Sequence, residues 1–179
     1  YRRQSRGGKG VTGAATKEDD FVEHMFIAST HNYILFFTNT GRCYWLKVFE
    51  IPEGGRTAKG KPINSLLAKG PEETINAFIT AKEFDDQHYV FMVTESGLVK
   101  KVLLSEFSNP RKSGITATTL RKGDTLKDAR LTDGKQDIII GTKEGIAIRF
   151  HEEEVRPMGR TAAGVRGINL GKKDKVVGV

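Results

Sequence analysis

The chain has 179 residues, of which 37% are hydrophobic and 28% charged, a composition typical of a folded domain and unlike that of a disordered chain. Its 29 Lys and Arg residues exceed its 22 Asp and Glu residues, so the net charge is +7, which favours a polyanionic partner. The chain has a single cysteine, Cys43, which excludes an intramolecular disulfide and a thiolate zinc cluster. The longest apolar run, Tyr33–Phe37, is far too short to cross a membrane. We therefore expect a cytoplasmic protein without membrane association.

The chain is predicted to consist of short strands separated by turns. Residues 1–20 are predicted to be loop, because they are rich in glycine and end in the acidic run Glu18–Asp20. From Phe21 onward, runs of Val, Ile, Phe and Tyr are bounded by Gly, Asn, Asp and Pro, which predicts β-strands. In chain order these are Val22–Thr30, Tyr33–Thr38, Arg42–Val48, Ile75–Ala81, Tyr89–Thr94, Leu98–Leu104, Ile115–Leu120, Ala129–Thr132, Asp137–Thr142, Ile146–His151, Val165–Leu170 and Lys175–Val179. With one helical turn predicted at Ile63–Ala68, the fold class is all-β.

Three of the predicted hairpins repeat one pattern, in which an apolar strand is followed by a polar turn that ends in glycine and by a second strand. They are Ile34–Arg42, Phe91–Leu98 and Ile138–Ile146. The turn glycines Gly41 and Gly97 are 56 residues apart, and Gly97 and Gly145 are 48 apart. Glycine is favoured there because a tight hairpin turn requires a positive φ.

A basic loop follows each hairpin with the same period, and the three loops are Gly55–Gly60, Pro110–Gly114 and Gly159–Gly164. From Arg56 to Arg111 is 55 residues, and from Arg111 to Arg160 is 49. A period near 50 residues is typical of a four-stranded propeller blade, which buries its faces against its neighbours. The sequence therefore predicts a single repeat domain, 1–179, with a loop at 1–20, blades at 21–72, 73–125 and 126–172, and the start of a further blade at 173–179.

Periodic cations on a convex rim suit a DNA duplex that lies around that rim, because phosphate contacts fix the path of the duplex without reading its bases. Bending a site of 20–30 bp by 40–90° costs about 1–6 kcal/mol, so several loops in phase are needed. A single loop of this kind is more often only solvated. The three in phase on a basic chain favour nucleic-acid binding.

The N-terminal segment Gln4–Gly10 is a second candidate for anion binding. Its glycines allow close approach of the backbone to a phosphate, and its amides, Arg6 and Lys9 are donors. The segment lacks the spacing of a P-loop, and a flexible linker is the alternative interpretation.

The segment Gln4–Gly10 resembles the box found in the C-terminal domain of the DNA gyrase A subunit, Gln-Arg-Arg-Gly-Gly-Lys-Gly, with Ser5 in place of one arginine. Val11–Gly13, Ile34–Gly41, Trp45–Val48 and the Gly-Arg-Thr loops are similar to that domain in order and spacing. The resemblance implies a β-propeller, or β-pinwheel, of six four-stranded blades, of which about three and a half are present. Val176–Val179 is predicted to open a further blade, so we expect the native domain to continue beyond this sequence.

The resemblance also implies a function, which is to bind and wrap duplex DNA without sequence preference. In the family, this wrapping allows DNA gyrase, an ATP-dependent type II topoisomerase, to introduce negative supercoils. It implies no catalytic residue, metal or cofactor in this chain, ATP and Mg²⁺ being used elsewhere in the enzyme. The implied partners are double-stranded DNA, the gyrase B subunit and a second A subunit in an A2B2 assembly. The implied DNA-binding residues are Gln4, Arg6, Gly7, Gly8, Lys9 and Gly10 in the box and Arg56, Lys59, Arg111, Lys112 and Arg160 in the loops.

Other functions remain open from the sequence. A propeller scaffold for protein–protein interaction, or the equivalent domain of topoisomerase IV, would share much of this pattern. A propeller hydrolase or lyase is disfavoured, because no carboxylate pairs or histidine clusters recur. Trp45 is predicted to pack between blades rather than to stack on bases, and Glu152–Glu154 to form a solvated acidic cluster. The four histidines, none with metal-ligand spacing, are His24, His31, His88 and His151.

Overall fold

A computed structural model describes residues 3–11, 13–14, 16, 21–22, 24–55 and 57–179, and the structural statements that follow refer to these residues. They contain eleven β-strands, four short 3₁₀ turns and no α-helix, which confirms the all-β prediction. The strands are β1 Tyr33–Thr38, β2 Arg42–Lys47, β3 Ile75–Ala81, β4 Tyr89–Thr94, β5 Leu98–Leu103, β6 Ile115–Thr116, β7 Leu126–Thr132, β8 Asp137–Thr142, β9 Ala147–His151, β10 Val165–Arg166 and β11 Val176–Gly178. The 3₁₀ turns are Val48–Glu50, Ile63–Ser65, Leu104–Phe107 and Glu152–Glu154. A helix that could span a membrane is not found in this part of the chain.

The three predicted hairpins form the centres of three antiparallel sheets. They share one register, since Leu35 pairs with Trp45, Phe91 with Lys101 and Ile139 with Arg149. The turn glycines Gly41, Gly97 and Gly145 have φ values of 77°, 82° and 81°. Two of these turns also lack room for a side chain, because a Cβ on Gly41 would lie 2.6 Å from the Thr118 carbonyl oxygen and one on Gly97 would lie 2.8 Å from Ile168 Cγ2.

The sheets are interleaved along the chain. Their strand orders are β3-β1-β2-β6, β10-β5-β4-β7 and β11-β8-β9. The predicted blade boundaries are therefore wrong, because β3 and β6 complete the first sheet, β7 and β10 the second, and β11 the third. Local turn chemistry predicts pairing within a hairpin. The strands that flank the hairpins pair with hairpins that lie earlier in the chain, and no local signal marks this pairing.

The three sheets converge at one edge, as propeller blades do toward an axis. Strand β7 of the second sheet contacts β3 of the first and β11 of the third. The strands β6 and β10 lie at the opposite edges of their sheets, which are the outer edges. The second hairpin is covered on both faces, since Val90 and Met92 join the core with the first sheet, and Phe91 and Val93 join the core with the third. This packing of each sheet against its neighbours is the expected packing of a propeller.

An acidic residue lies just before each of the strands β3, β7 and β11, which form the inner edges of the sheets. Its side chain binds the turn of the hairpin in the same sheet. The side chain of Glu73 accepts a hydrogen bond of 2.7 Å from Thr40 Oγ1, and Asp124 accepts one of 3.0 Å from the Ser96 amide. Asp174 accepts a hydrogen bond of 3.0 Å from the Glu144 amide in the third hairpin. These contacts join the interleaved strands to the hairpins, and they fix the inner edge of each sheet.

Several predicted strands are shorter than expected or are absent. Only Ile115–Thr116 and Val165–Arg166 pair within the predicted strands at 115–120 and 165–170. Of the predicted strand Val22–Thr30, the described residues form no strand, and Met25 and Ile27 are more than 80% exposed. Phe26 nevertheless packs against the ring of Phe78, with 4.6 Å between the ring centroids. Alternating apolar residues predict a strand only if a neighbouring strand is available to pair with it.

Candidate nucleic-acid interface

The predicted box, Gln4–Gly10, forms an exposed turn. The Ser5 carbonyl accepts a hydrogen bond of 3.0 Å from the Gly8 amide, and Gly7 and Gly10 have φ values of 84° and 74°. A Cβ on Gly8 would lie 2.7 Å from Gln4 Oε1. The positive φ values therefore favour glycine at Gly7 and Gly10, whereas the contact at Gly8 is with the end of a flexible side chain. The turn leaves Arg6 and Lys9 exposed to solvent.

The first basic loop is only partly described. Arg56 lies outside the described residues. Lys59 is exposed, and the Ala58 amide donates a hydrogen bond of 2.9 Å to the Gly55 carbonyl. Gly60, which ends the loop, has a positive φ of 71°, and Gly114 and Gly164, which end the second and third loops, have values of 75° and 95°. The predicted period of the loops is thus matched by their backbone conformation.

The second and third basic loops meet at a cavity of about 470 Å³, which we call the basic cavity. The cavity lies beside β6, at the outer edge of the first sheet. The residues that line it include Arg111 of the second loop, Arg160 of the third and a third arginine, Arg42, at the start of β2. Two predicted site residues from successive repeats are thereby brought together.

Arg42 was not predicted as a site residue. Its Nη2 donates hydrogen bonds to the carbonyls of Ser113 and Gly114, the latter at 3.2 Å, and its Nε lies 3.8 Å from Glu73 Oε1. Its side chain is 39% exposed. Arg42 lies in the first hairpin and thus binds the backbone of the second basic loop. It also adds positive charge to the cavity. The repeat pattern could not identify it, because Leu98 and Ile146 stand at the corresponding positions.

Arg160 is more engaged with the protein than the sequence predicted. Its Nη1 donates a hydrogen bond of 3.1 Å to the Thr116 carbonyl, and its Nε lies 3.9 Å from Glu106 Oε2. Its side chain is 30% exposed. Arg160 therefore attaches the third loop to β6, and it can offer only part of its guanidinium to a ligand.

Arg111 and Lys112 are the freest cations of this region. Both are exposed, and in the described part of the chain neither forms an ion pair. Both residues also line a second cavity of about 460 Å³, together with Trp45 and Leu67. A guanidinium that is not committed to a carboxylate can bind a phosphate through two parallel hydrogen bonds.

Trp45 packs as predicted rather than standing free for a base. Its ring contacts those of Tyr33 and Phe84, at centroid distances of 4.9 and 6.1 Å, and it packs against the core shared by the first two sheets. The Trp45 Nε1 atom is buried and has no hydrogen-bond partner among the described residues.

The prediction of a solvated cluster at Glu152–Glu154 is wrong for Glu152, although Glu153 and Glu154 are exposed. Glu152 is fully buried, and its carboxylate accepts hydrogen bonds of 2.8 Å from Thr132 Oγ1 and from the Gln136 amide. Lys101, which is also buried, donates a hydrogen bond of 2.8 Å to the Glu152 carbonyl and lies 3.9 Å from its carboxylate. A run of acidic residues gives no sign that one of them turns inward to a lysine.

The comparisons with known proteins agree with this fold. The chain matches the sequence model of the family described as DNA gyrase C-terminal domain, beta-propeller, over residues 1–29, 32–81, 88–133 and 136–179. The A subunit of DNA gyrase from Halalkalibacterium halodurans is 53% identical over 169 residues, which are 94% of this chain and 20% of that protein. The chain spans about a fifth of the length of the curated relatives it matches.

Two solved structures are also similar. The crystal structure of the C-terminal domain of DNA topoisomerase IV is 33% identical with a TM-score of 0.77, and the similarity covers 83% of this chain and 46% of that one. The structure of a DNA gyrase A C-terminal domain is 22% identical with a TM-score of 0.70, and the similarity covers 98% of this chain and 59% of that one. The second likeness shows the fold alone.

Proposed function

The chain belongs to the DNA gyrase C-terminal domain family, and from this we propose that it binds duplex DNA without sequence preference and bends the duplex around the outer edges of its sheets. The observation that carries the proposal is the basic cavity, in which Arg111 and Arg160 of successive repeats lie with Arg42 at an outer edge. Loops that bind the phosphates in this way would fix the path of the duplex from one blade to the next.

The charge of this edge supports a mechanism based on counterion release. Arg111, Lys112 and the partly engaged Arg42 and Arg160 offer three to four cations, and the box adds Arg6 and Lys9. If about five phosphates are neutralised, the logarithm of the binding constant falls with the logarithm of salt concentration with a slope of about −4.5. Lys59 and Arg56 would add to this slope if they contact the same duplex.

Bending follows if the phosphate contacts along the curved path stabilise the complex by more than the elastic cost. That cost is about 1–6 kcal/mol for a bend of 40–90° over 20–30 bp. One arginine cannot supply this, because a solvated contact contributes only about 1 kcal/mol. The box and the loops together supply enough contacts, so bending requires that they act on one continuous duplex.

In the whole enzyme this module serves negative supercoiling by DNA gyrase. The catalytic residues and the sites for ATP and Mg²⁺ lie outside this chain, which carries out no bond chemistry. The partners are the gyrase B subunit and a second A subunit in an A2B2 assembly, in the cytoplasm. The family membership and the names of the curated relatives support this assignment.

Replacing Arg111 with Gln is expected to weaken binding to all duplex sequences alike and to reduce the magnitude of the salt slope by about one, because one phosphate contact is lost. A salt titration of binding to two duplexes of unrelated sequence measures both effects. Arg130→Gln is the matched control, since Arg130 is an exposed arginine on β7 that pairs with Asp128 and does not line the cavity.

Three outcomes contradict this account. A loss of affinity for only one of the two sequences would indicate base recognition. An equal loss in Arg130→Gln would indicate that only net charge matters. Binding of the unchanged chain that is absent or independent of salt would favour the protein-interaction scaffold instead.

A further inference from the structure

A buried lysine holds the backbone of the third basic loop. Lys100 lies on β5 and is 2% exposed. Its Nζ donates hydrogen bonds to the carbonyls of Arg160 at 2.7 Å, Ala162 at 2.8 Å and Gly159 at 3.1 Å, all within the third loop. A fourth contact, to the Ala117 carbonyl at 3.1 Å, joins the segment that follows β6. An ammonium has three N–H groups, so this group is fully used by backbone oxygens of two segments.

The arrangement is unusual for a buried lysine, because no carboxylate is among its contacts with the described residues. Burying an ammonium is unfavourable unless hydrogen bonds and opposite charge compensate. Burial and then the positive charge of Arg160 lower the pKa of Lys100 to about 8. An apolar side chain would fill the same space without this penalty. The buried ammonium is therefore compensated by backbone carbonyls, three of which belong to the third loop.

The same device occurs one repeat earlier. Arg42, at the start of β2, binds the carbonyls of Ser113 and Gly114 in the second loop, as Lys100 on β5 binds those of the third. The glycines that end these loops rest on the same hairpin strands, since a Cβ on Gly114 would lie 2.7 Å from Tyr44 Cε1 and one on Gly164 would lie 2.6 Å from the Val99 carbonyl oxygen. In both repeats, a cation on the preceding hairpin binds the backbone of a loop that carries arginine.

We propose that Lys100 is a positioning residue for DNA binding, which fixes the backbone of the third loop so that Arg160 lines the basic cavity together with Arg111. Lys100 itself does not touch DNA. Without it, the carbonyls of residues 159, 160 and 162 would turn to water, and the loop would sample many conformations. The Arg160 guanidinium would then no longer be held at the cavity that Arg111 also lines. This inference rests on the proposed DNA-binding function.

The test compares Lys100→Met with Lys101→Met. Lys101 is the neighbouring buried lysine, but it binds Glu152 rather than the loop, so its replacement loosens the same sheets without releasing Arg160. For Lys100→Met we expect a loss of duplex affinity of about fivefold to tenfold at moderate salt and a salt slope smaller in magnitude by about one. Hydrogen exchange of the amides of residues 160–164 is expected to accelerate in the same variant. For Lys101→Met the salt slope is expected to stay at the value of the unchanged chain.

A double variant separates positioning from general loosening. If Lys100 acts through Arg160, then Arg160→Gln in the Lys100→Met background weakens DNA binding no further than either change alone. If Lys100→Met does not fold, Lys100→Gln retains two N–H donors and is expected to give an intermediate reduction of the slope.

The inference is overturned if Lys100→Met keeps the affinity and slope of the unchanged chain while its loop amides exchange faster, since the lysine would then be purely structural. It is also overturned if Lys101→Met reduces the slope equally, or if Lys100→Gln reduces affinity without altering the slope. Failure of the unchanged chain to bind duplex DNA would instead refute the proposed function.

Discussion

Replacing Arg6 and Lys9 together with Gln is expected to abolish the capture of supercoils by this chain, while simple duplex binding is weakened about thirtyfold but remains measurable. Both residues are exposed on the glycine turn of the box. Simple binding declines gradually as contacts are lost, but wrapping requires that all contacts together exceed the bending cost of about 1–6 kcal/mol. Loss of two contacts removes about 2 kcal/mol, after which the remaining contacts no longer exceed the bending cost. Closure of nicked circles by ligase in the presence of the protein measures the captured linking-number change.

The matched control is the double variant Lys172→Gln and Lys173→Gln. These two adjacent cations are exposed in a turn, as Arg6 and Lys9 are, but they belong to none of the predicted contacts. This control is expected to retain most of the captured linking-number change. Equal losses in the two double variants, or equal losses of binding and capture in the box variant, would show that the box has no special role.

Replacing Glu152 with Ala is expected to destabilise the chain by about 3–5 kcal/mol, because the buried Lys101 ammonium loses its only nearby carboxylate among the described residues. The hydroxyl of Thr132 and the amide of Gln136 also lose their acceptor. A domain is typically stable by about 5–15 kcal/mol, so the change removes a large part of the total. Urea unfolding measures the effect.

Glu153→Ala is the matched control, since Glu153 is the adjacent acid and its side chain is 72% exposed. It is expected to change stability by less than about 0.5 kcal/mol. The double variant Lys101→Met with Glu152→Leu is expected to recover much of the lost stability, because it removes the uncompensated charge. A loss below about 1 kcal/mol in Glu152→Ala would mean that water reaches Lys101 and that the pair is not buried.

The local features of the fold could be predicted from the sequence. The turn glycines Gly41, Gly97 and Gly145 and the apolar strands beside them identify three hairpins, because hairpin turns have a strong chemical signature. Their spacing, together with that of the basic loops, identifies a propeller. The pairing of strands from one repeat with the hairpin of another could not be predicted in this way. Strands β6 and β10 are two residues long, and their partners are set by tertiary packing rather than by any nearby residue.

The charged interior could not be predicted. Lys100, Lys101 and Glu152 are residue types that almost always face solvent, and composition treats them as surface. Their burial follows from how neighbouring sheets meet, which a single sequence does not describe. For the same reason, the sequence identified Arg111 and Arg160 as repeats of one loop but missed Arg42, whose contact with the second loop arises only when β2 and β6 pair.

The central claim is that cations from successive repeats curve a duplex around the outer edges of the sheets. Energy transfer between dyes at the two ends of a duplex of about 60 bp tests this directly, since free DNA of that length is nearly straight given a persistence length of about 150 bp. Binding is expected to shorten the end-to-end distance, with affinity that rises with duplex length up to the full path, and added salt is expected to reverse both. Tight binding that leaves the ends at their original distance, with affinity that does not depend on length, would contradict the account.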